Sequence, residues 1–353
     1  MMKNKKIIIS TYTFLPDIGG VATNSLTIAE AFQNKGYDVT MVTLTKDTSS
    51  IDKRIKVIRN PNLFLLLKLY YSADWILLAN LSLKLCWPLA FLNKTTALQH
   101  HSSSAFIKNK TNSFKSLLKR TIENKVINKS IHFVNSGFTM KDGGEFFNNL
   151  KVYITYPIMQ KTSVIKESAD IHKNRKGAIF VGRLEPEKGV EFLYRNLDVI
   201  KNRLEVNHFT FIGGGSLFND FKEKSTDNFV IKGAVELDSV YKLMQGAKFV
   251  LVPSIWQEPF GMVAAEALAS GAVVITSDRG GLPEAVGKVA EQFDLESEQS
   301  FIEALENAKL KSKSLLDKNT LSKYQANVNL HLDKFSGENV TAVMINAFLN
   351  EEK

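Results

Sequence analysis

Cysteine and long hydrophobic runs are what this chain of 353 residues most clearly lacks. The one cysteine, Cys86, excludes an internal disulfide and a cysteine-based metal cluster, and it fits a reducing cytosol. The most apolar region, Leu63 to Leu92, is interrupted by three charged residues and a proline, so it does not predict a membrane-spanning helix. The apolar run after the basic start, Ile7 to Ile9, is too short for a signal peptide and predicts a buried strand. We therefore expect a cytoplasmic protein.

Motifs for metals and for common cofactors are also missing. The chain has no His-Glu-x-x-His and no Asp-x-Asp sequence, so no dedicated metal site is predicted. Gly213 and Gly215 match the start of a dinucleotide fingerprint, but Phe218 stands where its third glycine should be. Between Gly281 and Lys288 the spacing is one residue too long for a phosphate-binding P-loop, and Val289 replaces the required Ser or Thr. We expect neither a metal nor a cofactor.

The net charge of +9 is unevenly distributed along the chain. Residues 1–165 carry 22 Lys+Arg against 9 Asp+Glu, a net charge of +13, whereas the remainder carries −4. A basic first half indicates an anionic partner, for which a nucleic acid, an anionic membrane surface and an acidic glycan all qualify. The densest basic run, Lys108 to Lys129, predicts an amphipathic helix whose basic face is either solvated or in contact with a membrane. Its apolar positions are Phe114, Leu117, Leu118, Ile122 and Val126.

Apolar strands alternate with helical stretches along nearly the whole chain, which is the pattern of parallel α/β sheets. The second half predicts, among other helices, Val190–Ile200 and Ser297–Leu310, and an apolar helix follows at Val340–Leu349. The polar stretch Tyr156–Lys176 has no apolar period and predicts a linker. We therefore expect an α/β fold of two tandem doubly wound, Rossmann-like domains facing across a cleft. In such sheets, ligands bind beyond the carboxyl ends of the strands.

Two carboxylates mark the segment from Ser254 to Gly271. Every residue from Gly261 to Ser270 is small or apolar except Glu266, which predicts a buried helix with one carboxylate that needs a partner. Glu258 comes shortly before the helix, and the free N–H groups near Gly261 favour a phosphate or a hydroxyl-rich ligand. Either both carboxylates hold a polar ligand, or Glu266 caps a neighbouring chain end and Glu258 is solvated.

Other candidate residues follow predicted strands. Arg183 and Lys188 come after Ala178–Val181 and suit a diphosphate, although Glu185 and Glu187 could make this an ion-paired surface loop. The glycines Gly213 to Gly215 permit a close backbone approach to a ligand but are a weak signal alone.

The first half contributes two further candidate positions. Gly19 and Gly20 precede a long helix and suit a phosphate or a sugar, with a plain turn as the alternative. His100 and His101 end the strand Thr95–Gln99 and are followed by small polar residues, which indicates a position in a cleft.

Together these segments resemble retaining glycosyltransferase family 4 (glycosyl transferases group 1), which has the GT-B fold, over nearly the whole chain. The most specific part is Pro253 to Gly271, which resembles the family's Glu-x7-Glu signature through Glu258 and Glu266 and continues into Gly280-Gly281-Leu-Pro-Glu284. Phe180 to Gly189 resembles its Arg/Lys diphosphate motif. Pro16 to Gly20 resembles its first glycine loop, and Gln99 to Ser103 its strand-end histidine.

The resemblance implies a role for each matched residue. Arg183 and Lys188 would neutralise the departing nucleoside diphosphate, and Glu266 would accept the ribose hydroxyls. Glu258 and the backbone at Phe260, Gly261 and Met262 would hold the donor sugar, with Val263 near the ribose or the phosphates. Gly20, with Gly19, would approach the diphosphate. His101, or alternatively His100, would lie near the reacting sugar. The base would contact Gly213 and Val235.

The resemblance further implies an N-terminal acceptor-binding domain (1–160), a nucleotide-sugar-binding domain (161–335) and a C-terminal helix (336–353) that crosses back to the first domain. We expect a metal-independent, retaining hexosyltransferase that uses a nucleotide sugar, UDP being the commoner choice although GDP and ADP are not excluded. The acceptor would be a glycan or a lipid-linked oligosaccharide of surface polysaccharide synthesis, at the inner face of an anionic membrane. The alternatives are a GT-B-fold nucleotide-sugar 2-epimerase and, more weakly, a nucleic-acid-binding protein. No nucleic acid is expected as a partner, because stacking aromatics do not alternate with the basic residues.

Overall fold

The computed structural model of the chain describes residues 5–17, 19–46, 55–102, 114–160 and 169–352. The chain divides into two compact units. Unit 1 contains Met1–Gln160 and Phe335–Lys353, and unit 2 contains Lys161–Lys334. Residues 161–168 of the predicted linker lie outside the described part of the chain, and the linker's remaining part contains a short helix at Ala169–Lys173.

Unit 1 is built on a parallel sheet of seven strands in the order β3-β2-β1-β4-β5-β6-β7. Its strands are β1 (Lys6–Thr11), β2 (Asp38–Thr43), β3 (Lys56–Arg59), β4 (Trp75–Leu78), β5 (Thr95–His100), β6 (Ile131–Val134) and β7 (Lys151–Ile154). Its helices are α1 (Gly20–Asn34), α2 (Leu63–Ser72), α3 (Leu83–Cys86), α4 (Phe114–Lys129), α5 (Gly137–Asp142) and α15 (Gly337–Glu351), with 3-10 turns at Trp87–Ala90 and Gly144–Phe147. The central strands are apolar because helices cover both faces of the sheet.

The C-terminal helix α15 packs within unit 1, against α1 and the strands β5 to β7. The ring of Phe348 stacks on that of Trp75 with a centroid distance of 4.8 Å. The indole N–H of Trp75 donates a hydrogen bond to Glu352 Oε1 at 2.7 Å. The last helix of the chain is therefore part of the core of the first unit.

Unit 2 repeats the architecture with a parallel sheet of six strands in the order β10-β9-β8-β11-β12-β13. Its strands are β8 (Lys176–Val181), β9 (Phe209–Ile212), β10 (Phe229–Lys232), β11 (Ala247–Val252), β12 (Val273–Ser277) and β13 (Glu291–Phe293). Its helices are α6 (Ala169–Lys173), α7 (Val190–Arg195), α8 (Leu197–Leu204), α9 (Phe218–Glu223), α10 (Leu237–Gly246), α11 (Met262–Ala269), α12 (Leu282–Val286), α13 (Glu298–Ser314) and α14 (Lys318–Leu332). A 3-10 turn spans Pro186–Lys188.

One predicted helix needs correction, and one strand and one helix were not predicted. The helix predicted at Val190–Ile200 is two helices, α7 and α8, because Asn196 leaves the helical conformation and its side-chain amide donates to Phe192 O at 2.9 Å. Strand β13 and helix α14 were not predicted, since both are polar apart from a few buried residues.

Across the part of the chain that is described, every helix is too short or too polar to cross a bilayer.

The helix predicted within the basic run Lys108–Lys129 is confirmed as α4, but not all of its apolar positions are buried. Helix α4 begins at Phe114, and residues 108–113 lie outside the described ranges. Val126 is buried, but Leu117 and Leu118 are 59% and 56% exposed, so these two leucines do not belong to the core of unit 1.

Candidate active site

The carboxyl ends of four adjacent strands of unit 2 bring most of the predicted residues to one edge of its sheet. The strands β9, β8, β11 and β12 are neighbours and all run in parallel. The segments that follow them therefore meet at the same edge of the sheet, which is where doubly wound folds bind ligands. We call this the carboxyl edge of unit 2.

A charged pair lies at the centre of the carboxyl edge. Lys188 Nζ lies 2.5 Å from Glu258 Oε1, and the two side chains are only 18% and 12% exposed. Ser254 donates a second hydrogen bond to the same carboxylate oxygen at 2.7 Å, and Ser277 donates to the Ser254 carbonyl at 2.7 Å. Glu258 is thus enclosed and paired, and the alternative of a solvated Glu258 is wrong.

Backbone geometry fixes the position of Lys188. Gly189, which follows it, has φ = +73°, and a Cβ there would lie 2.0 Å from the Pro253 carbonyl oxygen. The N–H groups of Ile255 and Trp256 both donate to the Glu187 carbonyl, at 2.9 and 3.0 Å. The turn after β8 is therefore fastened to the segment after β11, and only glycine permits so close an approach.

The aromatic ring of Trp256 adds a further contact to this lysine. Lys188 Nζ lies 5.5 Å from the centre of the indole, within the range of a cation–π interaction. The indole itself is 43% exposed. The ammonium group is thus held between a carboxylate and an aromatic face at the margin of the sheet.

Arg183 lies on the same edge in a different setting. Its side chain is 63% exposed and pairs with Glu187 at 3.1 Å, while Glu185 accepts a hydrogen bond from the Ser216 N–H at 3.0 Å. The ion-paired surface loop considered from the sequence therefore describes Arg183 but not Lys188. Because the Arg183 pair is exposed, it holds the guanidinium weakly, and the side chain is able to reach a ligand.

The run Gly213 to Gly215 has a packing function. A Cβ at Gly213 would lie 1.9 Å from the Gly182 carbonyl oxygen, and a Cβ at Gly215 would lie 2.5 Å from that of Leu184. The Gly213 N–H donates to Lys232 O at 3.0 Å. Glycine is therefore required here by the close approach of two loops, independently of a ligand.

The helix α11 begins at the carboxyl edge with open N–H groups. Gly261 precedes it with φ = +106°, and within the described ranges no side chain caps this terminus. The first N–H groups of a helix, here those of Met262 and Val263, have no acceptor within the helix. Phe260, 2% exposed, anchors the preceding turn in the core. This terminus presents partial positive charge toward any anion at the edge.

A tight turn holds the backbone on which Glu258 lies. The Gly281 N–H donates to the Glu258 carbonyl at 2.6 Å. A Cβ at Gly280 would lie 2.3 Å from the same carbonyl oxygen, and one at Gly281 would lie 2.6 Å from that of Pro259. The Gly280-Gly281 pair thus positions the carboxylate through the main chain.

Glu266 finds its partner on a neighbouring helix. Burial raises the pKa of the Glu266 carboxyl to about 7, while the hydrogen bond with the Tyr241 hydroxyl on α10 acts to lower this pKa. A neighbouring hydroxyl, and not a chain end, is therefore the partner, so the capping alternative is wrong. Near neutral pH the carboxyl exists in both protonation states.

Val235 follows β10, the edge strand next to β9. It is 38% exposed, and the preceding Gly233 packs near the ring of Phe218. The structure thus places Val235 on the same edge of the sheet as the Gly213 loop, with its side chain accessible.

In unit 1, the predicted glycines stand at the start of α1. Gly19 is the N-cap residue with an extended backbone, and Gly20 is the first residue of the helix. A Cβ at either position would meet nothing within 4 Å, while Ile18 lies outside the described residues. Packing among the described residues therefore does not require glycine here, in contrast to the glycines of unit 2.

The two histidines differ in their surroundings. His100 is 5% exposed, and its Nε2 lies 2.9 Å from His132 Nδ1 with the two rings stacked. Burial, reinforced by His132 and His101, lowers the pKa of His100 to about 3. His100 is thus a core residue of unit 1.

His101 is only partly buried and follows the end of β5. Its ring Nε2 donates to the Ala79 carbonyl at 2.9 Å, and its own carbonyl accepts from the Asn135 side chain at 3.0 Å. Burial lowers the pKa of His101 to about 4, against the effect of the hydrogen bond to Ala79. His101 is therefore the more accessible of the two, a neutral ring with Nδ1 as an acceptor.

Comparison with known proteins identifies the type of unit 2. Residues 161–324 match the family model of the glycosyl transferases group 1. An uncharacterized glycosyltransferase of Methanocaldococcus jannaschii is 35% identical over 127 residues, 34% of this chain and 32% of that protein. The chain thus spans about a third of the length of this curated relative.

Solved structures are similar over the whole chain. A glycosyltransferase from Rickettsia africae superposes with a TM-score of 0.71 at 18% identity, over 99% of both chains. Anabaena HepE in complex with UDP and glucose gives a TM-score of 0.66 at 15% identity, over 98% of this chain and 100% of that one. These likenesses confirm the predicted α/β fold of two doubly wound sheets. The chain therefore has the GT-B fold, and its unit 2 matches the group 1 glycosyltransferases.

Proposed function

We propose that this chain is a retaining, metal-independent glycosyltransferase of family 4. It would move a hexose-type sugar from a nucleoside diphosphate, UDP in the first instance, to a glycan or a lipid-linked oligosaccharide. The observation that carries the proposal is the enclosed Lys188–Glu258 pair beside the open N-terminus of α11. The match of residues 161–324 to group 1 glycosyltransferases supports it, as does the presence of UDP and glucose in the complex of Anabaena HepE.

The cationic groups of the carboxyl edge suit the leaving group. In the proposed reaction the bond from the anomeric carbon to the diphosphate oxygen breaks, and negative charge develops on that oxygen. Lys188, Arg183 and the first N–H groups of α11 would stabilise this charge, which lowers the barrier because these groups are positioned beforehand. The acceptor hydroxyl would bond to the same face of the sugar and pass its proton to the departing phosphate oxygen. The anomeric configuration is then retained without a second catalytic carboxylate.

The carboxylates suit the hydroxyl groups of the donor. Glu258 would accept hydrogen bonds from the sugar, with the backbone at Phe260, Gly261 and Met262 beside it. Glu266 would accept the ribose hydroxyls, a role that favours its ionised form. Val263 would contact the ribose or the phosphates.

The remaining candidates keep the roles that the resemblance implies. Gly213 and Val235 would contact the base. In unit 1, Gly20 with Gly19 would approach the diphosphate, and His101 would lie near the reacting sugar. Packing among the described residues does not require glycine at positions 19 and 20, which supports a role for them in binding.

The stereochemistry of transfer tests the proposed function. Purified protein is incubated with UDP-sugars and oligosaccharide acceptors, and the anomeric configuration of the product is read by NMR from its coupling constant. We expect the configuration of the donor to be retained. An inverted product would refute the retaining mechanism, and release of a 2-epimer without acceptor would identify the nucleotide-sugar epimerase instead.

We further propose that the enzyme works in surface polysaccharide assembly as a cytoplasmic protein peripheral to the membrane. The charge of +13 on residues 1–165 supports this location, because lipid-linked intermediates lie among anionic lipids.

A further inference from the structure

Large hydrophobic side chains are exposed on one part of unit 1. Eighteen large hydrophobic residues are exposed across the described chain, and seven of them lie on α2, on α4 or directly after the turn Trp87–Ala90. Phe64 is 81% exposed, Tyr71 75% and Phe91 68%. The other four are Leu63, Leu65, Leu117 and Leu118. We call the surface formed by α2, α3, Trp87–Phe91 and α4 the helical face of unit 1.

The helical face is one continuous surface around a cavity. Helix α4 packs on both α3 and the turn Trp87–Ala90. A cavity of about 440 Å³ opens between these elements and α2, and its lining includes Leu63, Leu66, Leu83, Lys84, Trp87 and Ile122. This volume lies within the range of sites that bind small molecules, and the lining is apolar except for one lysine.

Positive charge surrounds the apolar side chains. Residues 61–102 and 114–129 contain eight Lys or Arg and only two acidic residues. Lys94 Nζ lies 5.4 Å from the Tyr71 ring centre, and Lys125 Nζ lies 5.1 Å from that of Phe91. Exposed rings with ammonium groups beside them are the combination found on proteins that bind membrane surfaces.

We propose that the helical face docks on an anionic lipid bilayer, with Phe64, Tyr71 and Phe91 at the level of the headgroups and one hydrocarbon chain in the cavity. Charge complementarity argues for this occupant, because the lysines would meet anionic headgroups while the rings meet the acyl boundary. Lys84 at the cavity would pair with the headgroup of the lipid whose chain enters it. The proposal rests on the proposed function in one respect: docking would bring the enzyme to the membrane that contains a lipid-linked acceptor. Docking itself requires no transfer activity.

Vesicle binding by the full chain, without any nucleotide sugar, tests the docking. Binding is measured by sedimentation at low salt. Vesicles of phosphatidylcholine with about 30% phosphatidylglycerol, which are anionic, are compared with vesicles of pure phosphatidylcholine. We expect Phe64→Ser with Tyr71→Ser, and separately Lys119→Glu with Lys125→Glu, to lower the partition coefficient at least about tenfold. The matched controls are Leu310→Ser with Leu330→Ser and Lys318→Glu with Lys323→Glu, exposed residues of unit 2, which should change it less than about twofold.

Quenching by brominated acyl chains tests the cavity. Trp87 lines the cavity, whereas Trp75 is fully buried in the core and Trp256 belongs to unit 2. Brominated phosphatidylglycerol vesicles should quench the fluorescence, and Trp87→Phe should remove the quenched component.

Equal binding to neutral vesicles, unaltered binding in the helical-face variants, or unquenched Trp87 would overturn the proposal. Preferential retention of single-stranded RNA on filters, lost in the same variants, would assign the face to nucleic acid. Transfer to soluble and to lipid-linked acceptors is assayed in parallel with the wild type. The absence of transfer to every acceptor would refute the proposed function and leave the docking result unaffected.

Discussion

At the scale of single residues, the sequence provided the candidate side chains but did not predict how they pair with one another. Lys188 and Glu258 were each predicted as ligand groups, but they are 70 residues apart in different loops, and no spacing rule joins them. Ser254 was missed as a donor to Glu258 although it lies only four residues before it. Tyr241 was missed because its helix gives no sign of the Glu266 carboxyl that it contacts. Pairing across loops is a property of the fold and not of local sequence.

The protonation of Glu266 gives a prediction about stability and pH. Its pKa is raised to about 7 in the folded protein, above the ordinary value near 4.5, so the folded state binds the proton more tightly than the unfolded state. The resulting stabilisation is fully present below pH 4.5 and is lost as the pH rises through 7, by about 3 kcal/mol. Urea unfolding should therefore show that the free energy of unfolding of the wild type falls between pH 5 and pH 8 by more than that of Glu266→Gln, which has no carboxyl group at this position. An equal pH dependence in both proteins would contradict the assignment.

At the scale of secondary-structure elements, buried apolar strands were predictable because they read as short hydrophobic runs. The strand predicted at Thr95–Gln99 is β5, which extends only one residue further, to His100. Helix α14 was not predicted because only Leu321, Val328 and Leu332 are buried along its 15 residues, which is too sparse an apolar pattern. The division of α7 from α8 was not predicted, since Asn196 is neither a glycine nor a proline. Polar elements at the margin of a sheet depend on neighbours that the local sequence does not show.

Two glycines at helix starts should respond oppositely to alanine. Gly189→Ala would place a Cβ 2.0 Å from the Pro253 carbonyl at a positive φ, so we expect a loss of stability of about 1–3 kcal/mol or more. Gly20→Ala meets open space in a helix, and the melting temperature should stay constant or rise. If Gly20 approaches the diphosphate as proposed, the same variant should lose turnover. Thermal melts with transfer assays check both, and a Gly20→Ala protein of full activity would discard that role.

At the scale of the whole molecule, the charge asymmetry and the two-unit organisation agree with each other. The basic part of the chain corresponds mainly to unit 1, which carries the helical face, and the diphosphate candidates Arg183 and Lys188 lie in the more acidic unit 2. The sequence predicted the two doubly wound sheets because their strands and helices alternate. It did not predict that Leu117 and Leu118 are exposed, since periodicity alone does not tell a core-facing stripe from a docking surface.

The central claim is that the carboxyl edge of unit 2 binds a nucleoside diphosphate through Lys188. Calorimetric titration with UDP, GDP and ADP measures this directly on the wild type and on variants. Lys188→Ala leaves the enclosed Glu258 without its cation and should also cost stability, about 1–3 kcal/mol because Ser254 remains its donor. The double variant Lys188→Met with Glu258→Gln removes the unpaired charge, so it should recover stability without recovering affinity.

We expect one of the three nucleotides to bind to the wild type. The same nucleotide should bind to both Lys188 variants at least about tenfold more weakly, because one charge-assisted contact is lost. Lys173→Ala, which removes an exposed cation before the amino end of β8, should bind as the wild type does. Wild-type affinity in the stable double variant would contradict the account.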